Sequence, residues 1–528
     1  MSHDSMRGGK VSLLDIHSFA GGAWVAPGAS AQVLADAATG RDFARIGDAS
    51  VDMGAMRMYA IDHGAAGLAR LGLHDRARIL GGLARALAER RLDLAELSFA
   101  AGSTLADQRL DIDRGIAFLK GFAETALRDL PDGFWQKGPA RGDLQSDRVY
   151  RAKDGVAVQV NAFGFPIYDM LSKLAPALLA GMPVIVKPAT QGAFVTEQAV
   201  RVMLEAQILP PGALQLLTLP VTPLIDLLTA QDVVVFSGSP DTEQALRERV
   251  AGRSDAPSLI AKAQGATTMV LGPDFARDSE TYRYFLSVAI RDITSKAGQT
   301  LPGSRRVLVP EDALDEIGGD LAGRLRKIVI GNPRDAHVEM GPVISADHRY
   351  DVMDRIELLM RDANRLCGTP QDIALAGIDW ARGAYIPPTL LRCDSADASS
   401  SVHEIETYGP VATLIGYRDT NQAIDLASRG AKGPVRVEFV TADTEAAQDA
   451  VQATLACSGL LRLNDGRATS CADHADEPTA EDSPTDLSND RFEPFQIWQD
   501  RRIAQHMAPY QDTARVVAPI SMLSRLHP

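Results

Sequence analysis

The stretch from Gly155 to Thr190 leaves this chain few folds to choose from. It runs VAVQVNAF, the turn Gly164-Phe165-Pro166, IYDMLSKLAPALLAGM and PVIVKPAT, that is, a strand-like apolar run, a turn, a helix-length run and a second strand-like run. Such a βαβ unit has parallel strands, and parallel strands require a sheet covered on both faces. A second unit follows: a helix at 194–207, the turn Pro210-Pro211-Gly212, the strand LQLLTL, a helix near 222–229, and the strand DVVVFSG ending at Gly238. Strand-to-helix turns of this kind aim backbone N–H groups at a point where a phosphate can bind. Residues 75–101 carry leucines and alanines at helical spacing and predict an amphipathic helix. Further strands are expected near 268–272, 305–309 and 411–417, and no internal repeat is present.

A chain of 528 residues with 45% apolar content can bury enough surface for two or three domains. The net charge of -14 disfavours a sequence-blind nucleic-acid binder, which must neutralise phosphates. Cys367, Cys393, Cys457 and Cys471 are too few and too scattered for a disulfide framework, and none forms a metal-type pair, so a reducing cytoplasm fits best and no metal is expected. Met1 to Lys10 lack the apolar core of a signal peptide, and no uncharged apolar run reaches about 18 residues, so export and membrane insertion are disfavoured. Residues 465–493 carry nine acidic residues, two arginines and many Ser, Thr and Pro. That composition predicts a flexible solvated loop or, less simply, an acidic strip that docks a basic partner.

Four ordered blocks, NAFGFPIYDMLSKLAPALLAGMPVIVKPAT, KAGQTLPGSRRVLVP from Lys296, EMGPVIS from Glu339 and HEIETYGPVATLIGYRD from His403, together resemble the aldehyde dehydrogenase superfamily from about Phe19 to Leu523. Within it the chain is most similar to the branch that oxidises a CoA-linked semialdehyde with NADP in bacterial phenylacetate and benzoate breakdown. The resemblance implies an α/β fold in three parts. A Rossmann-like cofactor domain takes 1–133 and 154–261, and a second α/β catalytic-type domain takes 262–464. Segments 134–153 and 494–528 form a small oligomerisation arm, with the acidic loop 465–493 between.

Aldehyde oxidation by this family needs a thiolate to attack the carbonyl, a base to activate water and donors for the oxyanion. By resemblance the thiolate stands two residues after the Gly-Gln of KAGQ, where this chain has Gly298, Gln299, Thr300 and then Leu301. An isobutyl group cannot form a thiohemiacetal, and Thr300, one residue out of register, has no visible base. The family's glutamate base opens the segment that here reads KAQGATTMVLG, which puts Lys262 in its place and reverses the charge. The oxyanion asparagine falls at Gly164, which supplies no side-chain amide.

The cofactor positions are better kept. Lys187 matches the lysine that contacts the adenosine ribose or its 2′-phosphate, and Thr190 stands where NAD-preferring relatives carry a carboxylate, so NADP is favoured over NAD. Gly238 and Ser239 match the phosphate turn, and Glu406 the glutamate that reaches the nicotinamide ribose. Glu243 replaces the turn's second glycine and adds a negative charge beside the pyrophosphate position.

With no intact catalytic residue, the expected function is non-catalytic. The chain would be a homodimeric scaffold, regulator or binder of a nucleotide or CoA thioester, associated with an active paralogue or a pathway enzyme. The alternative is an NADP-dependent semialdehyde dehydrogenase, or another reaction in the same cleft, with a displaced nucleophile.

Overall fold

The structure is a computed structural model. It describes residues 13–464 and 503–519, except 139, 142–143, 263–266, 301–302, 371–374, 377–379, 381, 397–399, 431–434, 455–458 and 504–505. Leu301 and the acidic stretch 465–493 therefore lie outside the described residues.

Parallel strands built from Val, Ile, Leu and Ala organise the chain into two seven-stranded sheets. In the first, Ala157–Val160 is flanked by Val184–Lys187 and then Leu214–Leu216 on one side, and by Val233–Ser237 and then Ser258–Lys262 on the other, all parallel. Chain order thus reverses between Ala157–Val160 and Val233–Ser237, the kind of switch point at which such sheets bind ligands beyond their carboxyl edge. The second sheet is centred on Thr267–Leu271, Ser304–Pro310 and Val411–Tyr417, also mutually parallel where they pair. A separate sheet pairs Leu144–Ala152 with Gln511–Pro519 antiparallel along nine residues of each.

The helix after the first strand shows why the βαβ unit forms where it does. Pro166 opens it with a preset φ, Asp169 lies in its first turn, and Gly181 closes it at φ +97°, a conformation that glycine adopts without a Cβ clash. Ile167, Met170, Leu171 and Leu174 are fully buried against the face of the sheet that carries Ala157 and Val186.

Two helices differ from expectation. The predicted run 75–101 is a pair, Leu73–Glu89 and Arg91–Ala100, because Arg90 leaves helical angles (φ -106°, ψ 19°) and binds Asp93. The bend keeps Leu87 and Leu94, on either side of it, fully buried. The helix expected near 222–229 is only Thr222–Ile225; burial of Leu224, Ile225 and Leu228 explains the apolar pattern without a longer helix. Among the described residues no helix is long and apolar enough to cross a membrane.

Candidate functional site

Four loops drawn from the four sequence blocks meet between the two large sheets. At their centre is the Lys296–Gln299 loop, whose first three residues all have positive φ: Lys296 +51°, Ala297 +50° and Gly298 +68°. A Cβ at Gly298 would collide with the Gly409 carbonyl, so the loop lies against the Tyr408-Gly409-Pro410 turn. On its other side a Cβ at Gly164 would fall inside the van der Waals shell of the Gln299 carbonyl oxygen. The Gln299 side chain reaches the fourth block, accepting the Ile344 N–H on Oε1 at 2.8 Å and donating from Nε2 to the Lys296 carbonyl at 2.6 Å. Phe163 and His348 stack edge-on at 5.2 Å beside it.

Arg305 fastens this junction. Its guanidinium donates to the carbonyls of Gly298, Thr300 (3.3 Å), Thr407 (2.9 Å) and Asp292 (3.2 Å). Burial lowers its pKa below the ordinary arginine value, and carbonyl oxygens rather than a carboxylate satisfy it. Nothing in sequence spacing singled out this residue.

Of the described positions that the resemblance assigns to catalytic groups, Gly164 is the one that backbone closes over. Gly164 sits under the Gln299 carbonyl, so an oxyanion-binding side chain at 164 would meet main chain. Thr300 is 8% exposed, and its carbonyl is held by Arg305. Lys262 ends the strand Ser258–Lys262, with Ser237 as its partner in register, which sets its backbone on the carboxyl edge of the first sheet. Two cysteines are described, Cys367 and Cys393; both are buried in the second domain, and burial raises the Cys393 thiol further from reactivity.

Lys187 and the Gly238-Ser239 turn, which the resemblance assigns to a cofactor, lie along the same edge. Lys187 pairs in register with Val160, whose other neighbour is Phe236, so Lys187 and the Gly238-Ser239 turn flank one strand end. Ser239 caps the Pro240–Val250 helix by accepting the Thr242 N–H at 3.3 Å. The Lys187 ammonium forms no salt bridge among the described residues; its one bond is to the Pro188 carbonyl at 2.5 Å, and burial lowers its pKa to about 8. A half-buried cation without a counter-charge is suited to an anion such as a phosphate. Thr190 adds no competing carboxylate. Glu243 is paired with Arg247 four residues on, Oε1 to Nε at 2.6 Å, which offsets the repulsion expected of it beside the phosphate turn. Glu406 comes from the second domain, and its carboxylate accepts the Tyr408 hydroxyl at 3.4 Å.

Three buried groups that sequence inspection passed over support these loops. Lys173, its side chain 1% exposed, bonds Asp169 Oδ2 and Asn161 Oδ1, each at 2.8 Å, while Asp169 Oδ1 accepts the Ser237 hydroxyl at 2.9 Å. That network ties the two strand ends at the switch point. Asp107 and Asp111 lie beneath the Gly164 and Lys296 loops. The signal for Asp107 was legible as the capping box Thr104-x-x-Asp107; Asp111 had none. Among the described residues no cluster of His, Cys, Asp and Glu could hold a metal.

The aldehyde dehydrogenase family's sequence profile matches residues 24–472. The chain is 32% identical over 416 residues to the 3,4-dehydroadipyl-CoA semialdehyde dehydrogenase of Aromatoleum evansii, covering 78% of this chain and 81% of that protein. It is 25% identical over 361 residues to the betaine aldehyde dehydrogenase of Bacillus subtilis, covering 67% and 70%. Among solved structures, the betaine aldehyde dehydrogenase of Staphylococcus aureus in complex with NAD+ is similar in fold, with a TM-score of 0.75 at 19% identity over 96% of this chain and 95% of that one. HpcC of Thermus thermophilus is similar too, at 0.75 and 22% identity over 97% and 93%.

Proposed function

The chain belongs to the aldehyde dehydrogenase family, and from that premise we propose that it holds a nicotinamide dinucleotide, NADP ahead of NAD, in a cleft that does not oxidise aldehydes through a thiohemiacetal. The observation that carries this is the Gly164–Gln299 contact: backbone fills the space in which the family's oxyanion side chain would stand. In sequence, Leu301 replaces the nucleophile and Lys262 the base, so attack, water activation and oxyanion stabilisation are lost together.

The residues present fit a phosphorylated cofactor. Lys187 would meet the adenosine ribose or its 2′-phosphate, with Thr190 leaving that phosphate unrepelled. The Gly238-Ser239 turn would take the pyrophosphate at a helix N-terminus, and Glu406 the second ribose. Bound NADP supplies hydride acceptance; this chain's own residues orient it and supply the unpaired cation that favours the extra phosphate.

The kinship with a CoA-linked semialdehyde dehydrogenase supports a CoA thioester as the second ligand, held without turnover in a scaffold, regulator or sensor of the cytoplasm. The Leu144–Ala152 and Gln511–Pro519 pair would form the arm through which the chain homodimerises or joins an active paralogue or pathway enzyme. The competing proposal, a displaced nucleophile, meets two buried thiols in the second domain; Cys457 and Cys471 lie outside the described residues.

Thermal unfolding with NADP, NAD and a CoA thioester, beside absorbance of reduced nicotinamide on an aldehyde panel that includes CoA-linked semialdehydes, tests the proposal. Ligand at about 100-fold over Kd stabilises a native state by ~2.7 kcal/mol, so an upward shift with NADP and no absorbance change is expected. Turnover of any aldehyde would overturn it.

A further inference from the structure

Two aspartates four residues apart underlie both central loops of the site. The helical run Leu105–Gln108, Arg109–Asp113 and Arg114–Asp129 contains a π turn at its middle segment, and π turns are frequent at functional sites. Asp107 and Asp111 are each 2% exposed. Asp107 Oδ1 accepts the Lys296 N–H at 2.7 Å, and its Oδ2 accepts the Thr104 N–H and hydroxyl, both at 2.9 Å. Asp111 Oδ1 accepts the N–H groups of Ile167 and Tyr168 at 2.9 and 2.8 Å. These are first-turn amides of the helix that begins at Pro166, with no acceptor inside their own helix. One turn later, Gly115 brings the run close: a Cβ there would stand 3.2 Å from the Tyr168 backbone.

The Lys296 side chain completes the grip from the other side. Its ammonium donates to the Ala101 carbonyl at 2.7 Å and the Ser103 hydroxyl at 2.6 Å, where a cation also meets the carboxyl end of the Arg91–Ala100 helix. The loop so held is strained, because left-handed backbone costs a residue other than glycine roughly 1–2 kcal/mol, and both Lys296 and Ala297 adopt it. Strain of that size persists only where surrounding contacts impose it. Released from Asp107, the loop would relax toward ordinary backbone angles and draw the Gln299 carbonyl away from Gly164.

We propose that Asp107 and Asp111 are positioning residues that together set the separation of the Gly164 and Lys296 loops, so that the Gly164–Gln299 contact is held shut from the helix beneath it. Neither carboxylate acts on a substrate. Each grips one loop, and because both sit on one continuous helical run, loosening either frees the contact that the two loops share. The clamp is independent of whether the cleft turns over an aldehyde, and its test is independent of any activity.

Hydrogen–deuterium exchange of the full chain reads it directly, following peptides over 161–170 and 295–300 in Asp107→Ala and Asp111→Ala. Both variants are expected to raise exchange in both peptides by at least about tenfold, the equivalent of ~1.4 kcal/mol of local opening. Asp111→Asn, which keeps an acceptor for the two amides, is expected to restore protection in both. Should the alanine variants not fold, Asp107→Asn serves instead: its amide nitrogen cannot accept from Thr104, so the same paired rise is expected at smaller amplitude. A rise confined to the loop that the altered residue touches, or no rise at all, would overturn the clamp.

Discussion

The carbonyl oxygen of Gln299 occupies the volume that a Cβ on Gly164 would need. That carbonyl cannot easily give way, because Arg305 binds the carbonyls on both sides of it and the Gln299 side chain is tied to Ile344. Gly164→Ala and Gly164→Asn should therefore each destabilise the protein by roughly 1–3 kcal/mol, the usual cost of overpacking. Equilibrium unfolding in urea measures it as a lower midpoint at unchanged slope. An unchanged midpoint for Gly164→Asn would mean that the loop yields freely and that the oxyanion position is open to a side chain.

Much of this arrangement was legible in the chain. The strand–turn–helix–strand rhythm of 155–190 gave strands and helix within a few residues of their observed ends, since the apolar runs, Pro166 and Gly181 are local signals. The break at Arg90 was not legible, because leucine spacing continues across it. Nor was the role of Arg305, whose acceptors come from segments as far apart as Asp292 and Thr407. Sequence could show that position 164 lacks an amide; only the fold shows that the Gln299 carbonyl lies where a Cβ at 164 would go.

Lys187 carries a positive charge with one carbonyl for company. Lys187→Met should make the ligand-free protein more stable by roughly 1–3 kcal/mol, the scale of an undercompensated buried polar group, while removing the stabilisation by NADP. Its folded pKa of about 8 lies below the ordinary 10.5. The cost of the charged form is thus present below pH 8 and fades as pH rises toward 10.5, so the advantage of the methionine variant should shrink over that window. Melting curves at pH 7 and pH 10, with and without NADP, measure both effects. An unaltered NADP shift in the variant would remove Lys187 from the cofactor site.

Asp111 gives the opposite slope at lower pH. Burial raises its pKa from 3.8 to about 7, against the pull of the Tyr168 and Ile167 amides and of Lys296, with Asp169 adding to the rise. Asp169 is itself paired with Lys173. A carboxyl group raised in the folded state contributes stability that is fully present below about pH 4 and lost as pH climbs to 7. The loss is on the order of 4 kcal/mol, at about 1.4 kcal/mol per unit. Asp111→Asn should remove this component, so the difference in unfolding free energy between variant and parent should grow in the variant's favour from pH 4 to 7 and then level. A pH-independent difference would mean that Asp111 titrates normally.

On the proposed reading, aldehyde oxidation by this chain should need more than a nucleophile. Leu301→Cys supplies a sulfur, but Lys262 offers no carboxylate base, and the Gly164 position has neither an amide nor, beside the Gln299 carbonyl, room for one. In other enzymes loss of a nucleophile has cost roughly 10⁶-fold, with groups acting as a unit rather than additively. Leu301→Cys alone is therefore expected to show no steady-state reduction of NADP by a CoA-linked semialdehyde. Adding Lys262→Glu should permit at most a slow reaction, limited by the missing oxyanion donor. Adding Gly164→Asn should then lower stability before it raises the rate. If the single cysteine variant turns over at a rate comparable to ordinary dehydrogenases, the backbone closure at Gly164 is no barrier to catalysis, and the vacancy at 301 alone separates this chain from its active relatives.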